Sequence, residues 1–265
     1  MQQVAALPTA PSELRELMRR GELSGLTSGM APGRVQANLV ILPKEQAFDF
    51  LLFCQRNPKP CPLLEVVEAG SSEPRAMAPG ADLRTDLPRY RVFEYGELVE
   101  EPTDISHVWR DDMVSFLLGC SFTFESALVN AGIRIPHYET GANTAMFVTS
   151  IETEPAGIFS GPMVVSMRSI PQDKVVKAVQ ITSRYPAVHG APVHIGSPEA
   201  IGVDDVHTPD LGDVAQVGEG DVPVFWACGV TPQAVAMSSK PPLMITHAPG
   251  HMFITDRLNE DVAAL

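Results

Sequence analysis

Residues 38–70 constrain the fold more than any other part of the chain. They run NLVILP, then KEQAFDFLLFCQRN, then, after a cluster of prolines, PLLEVVEAG. The first segment is a short apolar run, and the second carries apolar residues at helical spacing. Pro58, Pro60 and Pro62 end that helix before a second extended run begins. An extended–helix–strand unit of this kind predicts α/β architecture.

The remaining segments extend this pattern. PSELRELMRRGEL is a short helix with Ser12 as N-cap and Gly21 as its stop. EAGSSEPRAMAPGADLRTDLP is a turn-rich surface loop, and YRVFEYGELVEE is a hairpin turning at Tyr95 and Gly96. WRDDMVSFLLGC and SFTFESALVNAG predict two short helices broken at Gly119. Short extended runs (IRIPHY, TAMFVTSI, MVVSMR) then precede a helix, QDKVVKAVQITSRY, which predicts a small α+β domain over residues 131–186. The last third returns to α/β. VPVFWACG is a strand, and TPQAVAMSS is a helix with Thr231 as N-cap and Pro232 at its first position. LMITHA and HMFITD are strands around a Pro-Gly turn, preceded by an acidic loop. The expected organisation is a discontinuous main α/β domain, residues 1–130 and 187–265, carrying the smaller domain. No repeat of fixed period is visible.

A formal charge of −13 opposes any nucleic-acid backbone, and no Lys/Arg stripe offsets it. The four cysteines, Cys54, Cys61, Cys120 and Cys228, show neither CxxC nor even spacing, as free thiols of a reducing compartment do. The first twenty residues lack a secretory pattern, and no run reaches the ~18 apolar residues of a membrane span. These features predict a cytoplasmic protein with a small-molecule partner and neither nucleic acid nor membrane. A homo-oligomer is compatible with them.

Candidate chemistry falls in a few segments. HGAPVHIG holds His189 and His194, and HAPGHMFITD holds His247 and His251. Imidazoles held in Pro/Gly turns suit acid–base work or metal binding, although the spacing matches no standard zinc pattern. Both turns adjoin apolar strands and are expected to meet in one cleft. FWACGVTPQ places Cys228, Gly229 and Thr231 where a strand turns into a helix, a position that gathers ligands and anions. GCSFTFE puts Cys120 at an expected helix start, where the helix dipole lowers a thiol pKa. Arg34 and Asn38 share one face of an extended strip and are candidates to hold a carboxylate. Arg168 is a further carboxylate clamp, whereas Arg84, flanked by Asp82 and Asp86, predicts a local salt bridge.

Several long phrases, in order along the chain, resemble the hydro-lyase family to which D-glutamate cyclase is related. They are GRVQANLVILPKEQAFDFLLFCQRNPKPCPLLE, ADLRTDLPRYRV, FLLGCSFTFE, GPMVVSMR, ITSRYPAVHGAPVHIG, VPVFWACGVTPQ and ITHAPGHMFITD. The resemblance implies a three-layer α/β domain with a mixed sheet beside a smaller α+β domain. It also implies a carbon–oxygen lyase that converts D-glutamate to 5-oxo-D-proline and water. No P-loop or dinucleotide fingerprint is present, so no nucleotide is implied, and a divalent cation stays open. On this reading His189, His194, His247 and His251, with Cys120, supply acid–base chemistry. Arg34 and Asn38 hold a carboxylate, and the joint at Cys228, Gly229 and Thr231 supports oxyanion charge. The alternative is a non-catalytic module that binds a small carboxylate or a metal.

Overall fold

The computed structural model describes residues 7–264; the first six residues, part of the segment read above for a secretory start, lie outside it. In chain order the elements are α1 (Pro11–Arg19), β1 (Arg34–Pro43), α2 (Lys44–Arg56), β2 (Leu63–Val67), β3 (Tyr90–Glu94), β4 (Glu97–Glu100), β5 (Met113–Gly119), α3 (Phe122–Asn130), α4 (Pro136–Thr140), β6 (Met146–Glu152), β7 (Pro162–Pro171), α5 (Val175–Thr182), β8 (His194–Ile195), β9 (Asp221–Ala227), α6 (Thr231–Ser239), β10 (Met244–His247) and β11 (Phe253–Leu258). Among the described residues, seven strands form one sheet in the order β2-β5-β1-β10-β3-β4, with β11 also paired to β1. Four more form a second sheet, β6-β7-β9-β8. The chain is therefore α/β in two parts.

Period-2 alternation explains why β1 reads as a continuous apolar run. Val35, Ala37, Leu39 and Ile41 enter one core, and Val40 and Leu42 enter the other, so both faces are buried. Phe50 and Phe53 of α2 and Val235 and Ala236 of α6 cover the second face. The opposite face is closed by Met77, Ala78, Leu83 and Leu87, from the segment expected to be a surface loop. That loop is polar at its turns but inserts an apolar residue every few positions. The hairpin falls where expected, with positive φ at both Tyr95 (49°) and Gly96 (83°).

Four expectations need correction. The large sheet is antiparallel in every recorded pairing, not mixed. WRDDMVSFLLGC is not a helix: Met113–Gly119 is the strand β5, buried throughout between β1 and β2. A seven-residue apolar run carries no periodicity to separate strand from helix. The boundary of the smaller domain also moves, because β9 pairs with β7 over seven positions and so lies in the second sheet, with β8. Neither Ser12 nor Thr231 is an N-cap; α1 follows Ala10 and α6 follows Val230.

The second sheet repeats the centre of the first. The order β2-β5-β1-β10 matches β8-β9-β7-β6 position by position. In the chain, β1 leads through α2 to β2, and β7 leads through α5 to β8. Each half then closes with a strand and a helix, β5–α3 and β9–α6, before giving its next sheet strand, β6 or β10, to the other half's sheet. Registers agree: Asn38 faces Leu118 two residues before Cys120, and Ser166 faces Trp226 two residues before Cys228. Pro43 and Pro171 then occupy equivalent strand ends.

Candidate active site

The two strand–helix joints share the pattern Cys-x-x-Thr-x-Glu/Gln, as CSFTFE from Cys120 and CGVTPQ from Cys228. Each threonine amide bonds back to its cysteine carbonyl, Thr123 to Cys120 at 3.1 Å and Thr231 to Cys228 at 3.0 Å. The amides of Phe122 and Val230 act in parallel to lower the pKa of the Cys120 and Cys228 thiols. The helices then cross over. Phe124 and Leu128 of α3 pack on the second sheet, and Val235 and Ala236 of α6 pack on the first.

A small cavity lies where the joints meet. Cys120, Ser121, Cys228, Asn38, Ser166 and His247 are among its walls, closed by the turn residues Gly250 and Met252 and by the segment from Asn143. Asn38 ties the joints together. Its amide donates to Gly119 O, and Gly229 packs so tightly on it that any Cβ there would collide.

Arg168 underlies this cavity from β7, on the same strand face as Ser166. Its guanidinium lies between Phe124 and Trp226, 5.3 and 5.4 Å from their ring centres. Nε and Nη2 donate to Glu125 Oε1 at 3.0 and 2.5 Å, Nη2 also to Ser121 Oγ at 2.9 Å, and Nη1 to Ser166 Oγ at 3.1 Å. A hydroxyl that accepts from a guanidinium keeps its own proton to donate elsewhere. Ser121 and Ser166 thus present two polarised O–H groups in the cavity wall. His137 Nε2 completes the cluster, 2.7 Å from Glu125 Oε1 and 3.1 Å from Thr144 Oγ1. Burial works to raise the Glu125 pKa, but His137 and Arg168 outweigh it and hold the carboxyl below its usual range.

His247 is the one member of the expected histidine set in this wall. Its Nδ1 lies 3.2 Å from Leu39 N and 3.4 Å from Leu39 O, and its Nε2 is a buried atom with no hydrogen-bond partner. Burial lowers its pKa to about 3, so the ring is neutral at physiological pH. Burial also pushes both thiols up, Cys120 strongly, against the lowering expected of a helix start. Desolvation outweighs the dipole because the joint is enclosed.

The other expected residues stand outside the wall. Arg34 donates to Asp256 O beside β11. His189, also buried, meets Lys59 O through Nδ1, and burial lowers its pKa to about 4. His194 Nε2 bonds Ser197 O within its own turn, and His251 Nδ1 bonds Pro249 O. Thr231 braces the joint, its hydroxyl accepting from Val164 N at 3.1 Å. Arg84 makes the expected local bridge to Asp82. Among the described residues, no group of three or more His, Cys, Asp or Glu side chains could hold a metal ion, and no helix is long and apolar enough to cross a membrane.

A second, slightly larger cavity opens on the other side of the cluster, lined by His137, Arg168, Ser169 and Gln216. Two of its polar groups are already engaged, His137 with Glu125 and Ser169 with Asp221. The smaller cavity holds the unspent donors. Ser121 and Ser166 were absent from the residues expected in the site, and Arg168 was expected only as a carboxylate clamp. The signal that could have found them is the twofold Cys-x-x-Thr-x-Glu/Gln pattern.

A donor-rich cavity thus lies between the paired joints. Residues 114–256 match the D-glutamate cyclase family. A protein from Psychrobacter arcticus named "Putative hydro-lyase" is 60% identical over 255 residues, 96% of this chain and 97% of its own. A relative of that name from Rubrobacter xylanophilus is 63% identical over 246 residues, 93% of this chain and 95% of its own. The chain belongs to the D-glutamate cyclase family. A nitrogen repressor-like protein of Methanococcus jannaschii aligns over 96% of this chain and 100% of that chain at 11% identity, with a TM-score of only 0.38.

Proposed function

We infer that the chain is a carbon–oxygen hydro-lyase that closes D-glutamate to 5-oxo-D-proline and water in the smaller cavity. The observation that carries this reading is the placement of Ser121 and Ser166, both polarised by Arg168, beside the unpartnered Nε2 of His247. Two neutral hydroxyl donors beside an unpartnered imidazole nitrogen suit a carboxylate and the oxyanion that forms from it.

The reaction balances within the substrate. The ammonium nitrogen forms a bond to the side-chain carboxyl carbon and loses two protons, and the departing oxygen gains them and leaves as water. The site therefore has to shuttle protons rather than supply or absorb them. Ser121 and Ser166 are placed to bind and relay. His247, neutral, donates to the developing oxyanion, while Asn38 and the amides near Gly229 fix the geometry. Holding the chain in a near-attack ring supplies much of the acceleration, and positioned acid–base groups typically add ~10²–10⁴-fold. The wider histidine set, His189, His194 and His251, acts on this reading through the fold around the cavity.

Incubation of the pure protein with D- and L-glutamate, with 5-oxoproline followed by chiral chromatography, tests the reaction. Product from D-glutamate supports it. Tight glutamate binding by calorimetry with no product from either isomer, with and without Mg²⁺ or Mn²⁺, replaces it with a binding module.

A further inference from the structure

We propose that Cys120 and Cys228 are a matched pair of acid–base thiols that exchange the α-hydrogen of an amino acid or cyclic imino acid bound between them. This rests on the reading that the cavity holds the substrate's carboxylate, and it adds a chemistry that cyclisation does not need.

Three observations carry it. The cysteines occupy equivalent positions in the two halves, two residues beyond the paired positions Leu118 and Trp226, and both line one cavity from different sheets. Their surroundings match: the amide two residues on, Phe122 or Val230, acts to lower each thiol's pKa and so favours a thiolate. The carboxylate donors Ser121 and Ser166 are shared between the halves, one beside each joint, and are bridged by Arg168. A substrate whose carboxylate rests on those hydroxyls sets its α-carbon between two groups of the same chemistry. Inverting a carbon needs this arrangement: one base on one face and one acid on the other. Burial holds the thiols protonated in the empty cavity, and a thiolate formed there is a strong base suited to a carbon acid.

In the step, one thiol has released its proton to solvent. That thiolate takes the α-hydrogen, so the C–H bond breaks and an S–H bond forms. The electron pair moves into the carboxylate as an enediolate, held by Ser121 and Ser166. The other thiol delivers its proton to the opposite face, forming the new C–H bond and becoming the thiolate. Nothing is oxidised or reduced, and the α-carbon is inverted.

The test uses the whole protein in D₂O with D-glutamate, L-glutamate and 5-oxo-D-proline as separate probes. Proton NMR reads α-deuteration, and chiral chromatography reads both inversion and 5-oxoproline. The expected result is α-deuteration of at least one probe by the wild type. Cys120→Ser and Cys228→Ser, each checked for folding by circular dichroism, should lose inversion more than 100-fold. Their residual deuteration should fall on opposite enantiomers, which a merely structural role does not produce. Absence of α-deuteration by the wild type overturns the pair, whether or not 5-oxoproline forms, so cyclisation can stand while this inference falls. Equal loss on both enantiomers in both folded variants also overturns it. Deuteration without 5-oxoproline supports the pair and removes the cyclisation.

Discussion

Thr123 and Thr231 make the same hydrogen bond in opposite halves of the molecule: Thr123 Oγ1 accepts from Gln36 N at 3.2 Å, and Thr231 Oγ1 accepts from Val164 N at 3.1 Å. Gln36 and Val164 hold the same register position, each two residues before the residue that opposes the joint's strand, Asn38 or Ser166. Both threonines are buried, so each hydroxyl satisfies an amide that water cannot reach. Thr123→Val and Thr231→Val each keep the shape and strand that amide. Each should lower unfolding free energy by about 1–3 kcal/mol, measured by urea denaturation. A large cost in one and none in the other would contradict the equivalence of the halves.

The Glu125–Arg168 pair yields a second prediction. Both side chains are fully buried, with Glu125 Oε1 taking two guanidinium bonds and the ring nitrogen of His137. Glu125→Gln leaves Arg168 without its counter-charge and should cost about 3–5 kcal/mol. The double change Glu125→Leu with Arg168→Leu removes both charges and should recover most of that loss. It should still abolish 5-oxoproline formation, because Ser121 and Ser166 lose the cation that polarises them. Thermal unfolding and product assay on the same samples separate the two effects.

Acid should weaken the fold in a defined window. Burial lowers the pKa of His189 and His247 from 6.5 to about 4 and about 3. Below pH 6.5 the unfolded chain takes up protons at these rings while the folded one does not, so stability is full above 6.5 and declines toward 4. The slope is at most ~1.4 kcal/mol per pH unit for each ring. Glu125 acts in the same direction lower down: its depressed carboxyl contributes stability above the unfolded value of 4.5, lost as pH falls through the folded one. Urea midpoints from pH 4 to 7 should therefore rise with pH, and His247→Asn should reduce the slope. A flat profile would mean that these rings are not held neutral.

The sequence was most readable where a pattern has one physical solution. The Tyr95-Gly96 turn, α2 with its proline stop, and the strands around the last histidine turn fall where periodicity and turn chemistry put them. Strand β5 was not readable, because burial on both faces erases alternation. Nor could the sheet membership of β9 be read, since which strand pairs with which is set by tertiary register. The site was half visible. Cys120, Cys228, Asn38, Gly229 and His247 stood out as polar or small residues at strand ends, and all five meet at or beside the cavity. Arg168 was noticed only as an isolated clamp. Ser121 and Ser166 were ordinary serines until Arg168 was seen to bond both. His194 and His251 bond within their own turns, a local role that spacing does not reveal.

The central claim is that the small cavity between the two joints is where the substrate carboxylate rests. A crystal structure of the protein with 5-oxo-D-proline tests it most directly. The expected result is ligand density in the cavity lined by Cys120 and Cys228, with a carboxylate oxygen within hydrogen-bond distance of Ser121 Oγ or Ser166 Oγ. Density in the cavity beside Gln216 instead, with the joint cavity empty, would contradict it.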